Sequence, residues 1–154
     1  MRNRFKLYIF TAFILSLFSG CEVDDICTSE VKTPRLVIHF YDSENSSISK
    51  KVDTLSVWAI NKEKLYDKQS LDSINLPLNP QSSTLSYILK NGSICDTLKI
   101  EYTPHEKFIS RSCGYIFNFT INDNTNTTEY WINDFEITTA ELIEYEQTNI
   151  KIYH

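Results

Sequence analysis

The sequence predicts an all-β domain, a single antiparallel β-sandwich of Ig-like or transthyretin-like type with about eight strands, behind a lipoprotein signal peptide. The prediction rests on three observations. From Pro34 to His154 the apolar residues fall in short runs of two-residue period, no stretch sustains a helical period, and Asn, Asp, Pro or Gly interrupts the runs at short intervals.

Taken in order, strands are expected near 34–42, 53–60, 72–78, 83–90, 96–103, 107–112, 114–122, 129–139 and 147–153. Breaks are placed at 42–50, Asn79-Pro80, Asn91-Gly92, Pro104-His105 and 122–128. Leu36 to Phe40 is apolar on both faces except at His39, which suits a central strand. Leu55, Val57 and Ala59 alternate with Ser56 and Trp58, so the latter pair is expected outside. Leu98, Ile100 and Tyr102 form a second inward row, opposite Lys99 and Glu101, and Tyr115, Phe117, Phe119 and Ile121 a third, opposite Asn118 and Thr120. Trp131 shares its alternation with Phe135 and Ile137 and is assigned to the core. The closing segment Asn149 to His154 reads as a paired strand. Only three glycines occur, so the turns must lean on Asn, Asp and Ser.

The N-terminus has a different texture. Arg2, Arg4 and Lys6 precede an apolar run from Leu7 to Phe18, the layout of an export signal and shorter than the roughly 20 residues that a membrane-crossing helix needs. Ser19-Gly20-Cys21 follows directly, a lipobox-like site: small residues fit the peptidase cleft and the thiol accepts a diacylglyceryl group. Residues 1–20 are therefore expected to be a signal peptide, 21–33 a lipidated tether, and 34–154 the folded domain. Two or more acyl chains on Cys21 would anchor the mature chain stably to a membrane.

Loss of residues 1–20 removes three cations and no acid, so the formal charge moves from −5 to −8. An acidic domain without a Lys/Arg cluster repels phosphate backbones, which argues against nucleic acid as a partner. The acidic Glu22, Asp24 and Asp25 resemble the short signal that sends Bacteroidota lipoproteins to the cell surface. A merely solvated tether has the same composition. An outer-membrane address is expected, with the face undecided.

With Cys21 assigned to lipid, Cys27, Cys95 and Cys113 are left, and at most one disulfide can form within the chain. Cys27 with Cys113 is favoured, since Cys27 stands at the entrance of the domain and Cys113 at the start of an aromatic strand. Pairing through Cys95, or three reduced thiols, are the alternatives.

Asp53-Thr54-Leu55, Asp72-Ser73-Ile74 and Asp96-Thr97-Leu98 repeat at strand starts. They serve as turn-to-strand punctuation, and they also resemble O-glycosylation acceptors of Bacteroidota, with Thr54, Ser73 and Thr97 as the modified residues. His39 reads as a packing residue. His105, placed in a turn beside Glu106, is the one candidate general base, and loop solvation explains it as well. His154 adds no constellation. Hydrolase, zinc-protease and phosphate-loop motifs are absent from the sequence, so no catalytic residue, metal or cofactor is expected. Trp58, on an outward face, is the candidate ligand contact, suited to stacking on a sugar or a partner.

Several stretches together resemble an uncharacterised family of Bacteroidota lipoproteins, a group defined by a domain of unknown function. They are Cys21 with Asp25-Ile26-Cys27-Thr28, Pro34 to Ile38 running into Tyr41-Asp42, Leu76-Pro77-Leu78-Asn79-Pro80, Asp96-Thr97-Leu98, and Phe108 to Tyr115 with its Cys113-Gly114-Tyr115 block. The resemblance implies a lipoprotein, supports Cys27 with Cys113 as the paired cysteines, leaves Cys95 as a free thiol, and implies no established catalysis or ligand. The expected role is a non-catalytic accessory or protein-interaction module of the envelope, held by the lipid on Cys21, with another envelope protein as the candidate partner. A glycan or small-molecule binding module is the alternative.

Overall fold

The computed structural model describes residues 26–27, 30, 32–143 and 147–154. The stretches expected to be a signal peptide, the lipidated Cys21 and most of the tether lie outside the described residues. Two units are distinguished: 26–27 with 110–114, and 30–109 with 115–154.

The larger unit is all-β. Eleven strands are present among the described residues: β1 (Leu36–Tyr41), β2 (Val52–Ala59), β3 (Lys64–Leu71), β4 (Ser73–Leu76), β5 (Thr84–Asn91), β6 (Ile94–Ser110), β7 (Gly114–Ile121), β8 (Asn126–Thr127), β9 (Asp134–Ile137), β10 (Glu141–Leu142) and β11 (Ile150–Tyr153). They form a four-stranded sheet, β4-β1-β11-β9, and a larger one, β10-β7-β6-β5-β2-β3, with β8 also paired to β6. One core joins their inner faces. Leu36, Ile38, Phe40, Ile74, Leu76, Ile150 and Ile152 from the first sheet share it with Leu55, Val57, Tyr87, Leu89, Leu98, Ile100, Tyr102, Phe119 and Ile121 from the second. This is a β-sandwich.

The apolar strand β1 is central, between β4 and β11, as its two-faced hydrophobicity requires. The closing segment is indeed a paired strand. Its register with β1, Ile38 opposite Ile150 and Phe40 opposite Ile152, is parallel, a departure from the purely antiparallel expectation. Buried Asn149 sets this pairing: its Oδ1 accepts the Val37 N–H at 3.0 Å and its Nδ2 donates to the carbonyls of Thr139 and Glu141.

Four expectations are corrected. First, β3 lies in a stretch assigned to no strand. It is an edge strand that is mostly exposed, so it carries no inward row to read. Its register against β2 shifts repeatedly, and Lys68 adopts φ 50. Ser56, expected outside, is 3% exposed because its hydroxyl fills that irregularity, donating to Asp67 Oδ1 and accepting the Lys68 N–H at 2.9 Å.

Second, Pro104-His105 is not a break, and the two strands expected there are one, β6. The β5–β6 ladder ends at Thr84 opposite Glu101, and the Tyr102 N–H still reaches the Ser83 carbonyl. Pro104 lies two residues further and faces the same side. No strand among the described residues pairs there, so its missing N–H costs no ladder bond.

Third, the strand expected over 129–139 is confined to 134–137, because the backbone of 130–132 bonds to a carboxylate instead of a ladder. Fourth, the aromatic row of β7 is inward only at its end: Phe119 and Ile121 are buried, Phe117 is half-buried, and Tyr115 is 59% exposed. The Asn91-Gly92 turn is present, with Gly92 at φ 59 as the first residue of a two-residue loop closed by the Asn91–Ile94 pair.

The outer edge of β4 and the chain beyond it are closed by three tyrosines of the opposite sheet. Tyr66 Oη accepts the Asn75 N–H at 3.0 Å and donates to the Asn75 carbonyl. Tyr87 Oη donates to the Pro77 carbonyl. Tyr102 Oη accepts the Asn79 N–H at 3.1 Å and donates to the Asn79 carbonyl at 2.9 Å. Residues 75, 77 and 79 alternate along an extended chain, so the hydroxyls stand where a further strand would bond.

Candidate functional site

The smaller unit contains the disulfide. Cys27 is joined to Cys113, with Cα atoms 4.8 Å apart, and the loop closed spans 86 residues. Ser110 Oγ accepts the Cys113 N–H at 3.0 Å and lies 3.2 Å from Ser112 Oγ, which stiffens the turn carrying the bond. Gly114, at φ 71, supplies the left-handed residue that ends the turn. Cys95 is a free, exposed thiol beside the β5–β6 turn.

In the larger unit, Trp58 is half-buried on β2, with Lys64 Nζ 6.0 Å from its ring centroid. Its neighbour Ala59 faces the other way and lines an open groove of about 630 Å³ together with Leu65, Pro77, Leu78, Leu85 and Tyr87, flanked by the exposed Lys62 and Glu63. Successive strand residues point to opposite faces, so Trp58 and this groove are separate surfaces. The groove has no linear signature in the sequence: its lining comes from β2, β3, β5 and the chain after β4. One wall, residues 77–79, is held by the Tyr87 and Tyr102 hydroxyls. Burial pushes the Tyr87 phenol up to about 12, and burial likewise raises that of Tyr102, so both stay protonated donors across the ordinary pH range.

The acceptor-like motifs fall into different settings. Thr54 is exposed, and its Oγ1 accepts the Gly92 N–H at 2.9 Å. Ser73 is half-buried, with its hydroxyl donating to Asp72 Oδ1 at 3.2 Å. Thr97 is half-buried and tied at its backbone to Thr128 in both directions.

Asp96 is not a turn residue. It is fully buried within β6, and its carboxylate accepts Thr128 Oγ1 at 2.5 Å and the N–H groups of Tyr130 (2.9 Å), Trp131 (2.8 Å) and Ile132 (3.0 Å). Burial alone would raise its pKa, but these four donors together outweigh that and hold it below the ordinary carboxylate range. The clamp seats Trp131 in the core, where its indole Nε1–H donates to the Leu89 carbonyl at 3.0 Å.

The histidines do not converge. His39 Nδ1 lies 3.3 Å from Thr148 Oγ1 on the first sheet, and His105, on strand β6 rather than in a turn, is exposed with Nε2 3.0 Å from Thr120 Oγ1. His154 stacks edge-on against Trp131 and Phe40, and burial there lowers its pKa. Among the described residues no group of three or more His, Cys, Asp or Glu is placed to hold a metal ion, and no helix is long and apolar enough to cross a membrane.

No curated protein and no solved structure matches the chain. The model of a family of unknown function, DUF6452, matches residues 54–154, from β2 to the last residue of the sequence, and the chain belongs to that family.

Proposed function

We propose that the mature protein is a lipid-anchored lipoprotein of a Bacteroidota outer membrane, acting as a non-catalytic accessory or interaction module. The observation that carries the proposal is Ser19-Gly20-Cys21 directly after the apolar run Leu7–Phe18. The disulfide at Cys27 supports it, because such bonds persist in oxidising compartments and this one leaves only residues 22–26 between the lipid and the crosslink. The acidic Glu22, Asp24 and Asp25 fit export to the cell surface and a solvated tether equally, so the face is left to experiment. Protease shaving of intact cells tests the side: release of the domain from whole cells places it outside, and protection until the outer membrane is opened places it on the periplasmic face. Crosslinking then recovers a partner envelope protein, or fails to and counts against the interaction role.

A second reading, binding of a glycan or small molecule, is favoured by the mainly apolar groove beside Tyr87. Trp58 offers a separate stacking surface. Quenching of tryptophan emission by an oligosaccharide, abolished by Trp58→Ala, would assign glycan binding to that face. Saturable protection of Leu65 and Leu85 from exchange-coupled labelling by an apolar ligand would assign the groove. O-glycosylation is best supported at Thr54, where Asp53 and Thr54 are both exposed, and less so at Ser73 and Thr97. A hexose-bearing peptide on mass spectrometry tests it.

A further inference from the structure

Among the described residues, the outer part of the β6–β7 hairpin is a two-stranded ribbon. On one side the β5 partner of β6 stops at Glu101, and on the other β10 meets β7 only at Phe119 and Thr120. On this ribbon Phe108 and Tyr115 are 54% and 59% exposed, yet their rings lie against each other with centroids 5.1 Å apart. A paired, solvent-facing Phe and Tyr is an apolar surface with one polar hydroxyl, the chemistry that favours a membrane–water interface.

We infer that Phe108 and Tyr115 rest in the headgroup region of the membrane that holds the lipid, so that the domain is fixed in one orientation rather than swinging on its tether. The inference rests on the lipid attachment to Cys21 proposed above, and two further facts select a lipid surface as the occupant. Only residues 22–26 separate Cys21 from Cys27, a reach of at most about 21 Å between the two Cα atoms. The disulfide carries that limit to Cys113, 4.8 Å from Cys27 by Cα atoms, and Tyr115 is two residues further along the chain. Ile94 is comparably exposed, at 48%, but it begins β6, and about 50 Å of strand separates it from the ribbon's end.

The test uses the lipidated mature chain in phosphatidylethanolamine/phosphatidylglycerol vesicles with brominated acyl chains. In a Trp58→Phe background, Trp131 is a buried and constant emitter, and the indole introduced by Phe108→Trp reports its own depth. Brominated vesicles should lower the emission of the Phe108→Trp chain by about twofold and leave the background chain nearly unchanged. In the wild-type chain, tryptic cleavage after Arg111 should slow on vesicles relative to cleavage after Lys62, and Phe108→Ser with Tyr115→Ser should abolish the slowing while flotation persists. An acylated chain that floats with the vesicles but shows neither quenching nor slowing overturns the inference and leaves the lipid anchor standing. A chain without acyl groups that fails to float overturns both.

Discussion

The carboxylate of Asp96 accepts the backbone N–H of Trp131 at 2.8 Å, and through that bond and its neighbours a β-strand holds a segment that has no ladder of its own. Asp96→Ala leaves four donors without an acceptor in a dry site and should cost about 3 kcal/mol, whereas Asp96→Asn keeps one acceptor oxygen and should cost about half as much. Urea unfolding at constant slope measures both. An Asp96→Ala midpoint equal to that of the wild type would show that the clamp adds nothing.

The same site makes stability depend on acid. The folded pKa of Asp96 lies below its ordinary 3.8, so its contribution is complete above that value and is lost as the pH falls through the depressed folded one. Wild-type stability should therefore drop steeply below about pH 4. Asp96→Asn should flatten that drop at the cost of stability at neutral pH. Identical acid limbs for the two proteins would place the acid sensitivity elsewhere.

The tyrosine hydroxyls that close the β4 edge are separable. Tyr66→Phe, Tyr87→Phe and Tyr102→Phe should each cost about 1–2 kcal/mol, with Tyr66→Phe and Tyr102→Phe at the upper end because each frees both backbone polar groups of its asparagine, whereas Tyr87→Phe frees the Pro77 carbonyl. Amide exchange gives the sharper readout. The Asn75 N–H should exchange faster in Tyr66→Phe alone and the Asn79 N–H in Tyr102→Phe alone, and uniform acceleration across the sheet would contradict a local edge function.

Crosslinking Cys27 to Cys113 restricts a loop of 86 residues in the unfolded chain, which corresponds to about 4–5 kcal/mol in the chain-entropy model. Cys113→Ser should lower the unfolding midpoint accordingly. Thiol titration of the native chain, with Cys21 acylated as proposed, should find one reactive group, Cys95, and a count of zero or three would contradict the pairing.

What the sequence reveals follows from which residues carry a period. The inward rows at Leu55, Val57, Ala59 and at Leu98, Ile100, Tyr102 are buried as their alternation requires, and Trp131 is in the core. Edge strand β3 was illegible because it is mostly exposed, and its two core-packed residues, Tyr66 and Leu71, fall on either side of the irregularity at Lys68, out of step with a two-residue period. Pro104 misled because a proline breaks a strand only where its N–H would have been used, and the loss of β5 at that point is a tertiary fact. Asp96 looked like the Asp of Asp53-Thr54 and Asp72-Ser73, and only the segment 128–132, far along the chain, distinguishes it. The groove beside Tyr87 is assembled from four separate stretches and leaves no mark on any one of them.

The most direct measurement is the intact mass, followed by the N-terminal peptide mass, of the mature chain purified from membranes. The account predicts a chain that begins at Cys21, carries a diacylglyceryl group there, and retains the Cys27–Cys113 crosslink. A chain that still carries residues 1–20, or one that begins at an unmodified Cys21, would contradict it.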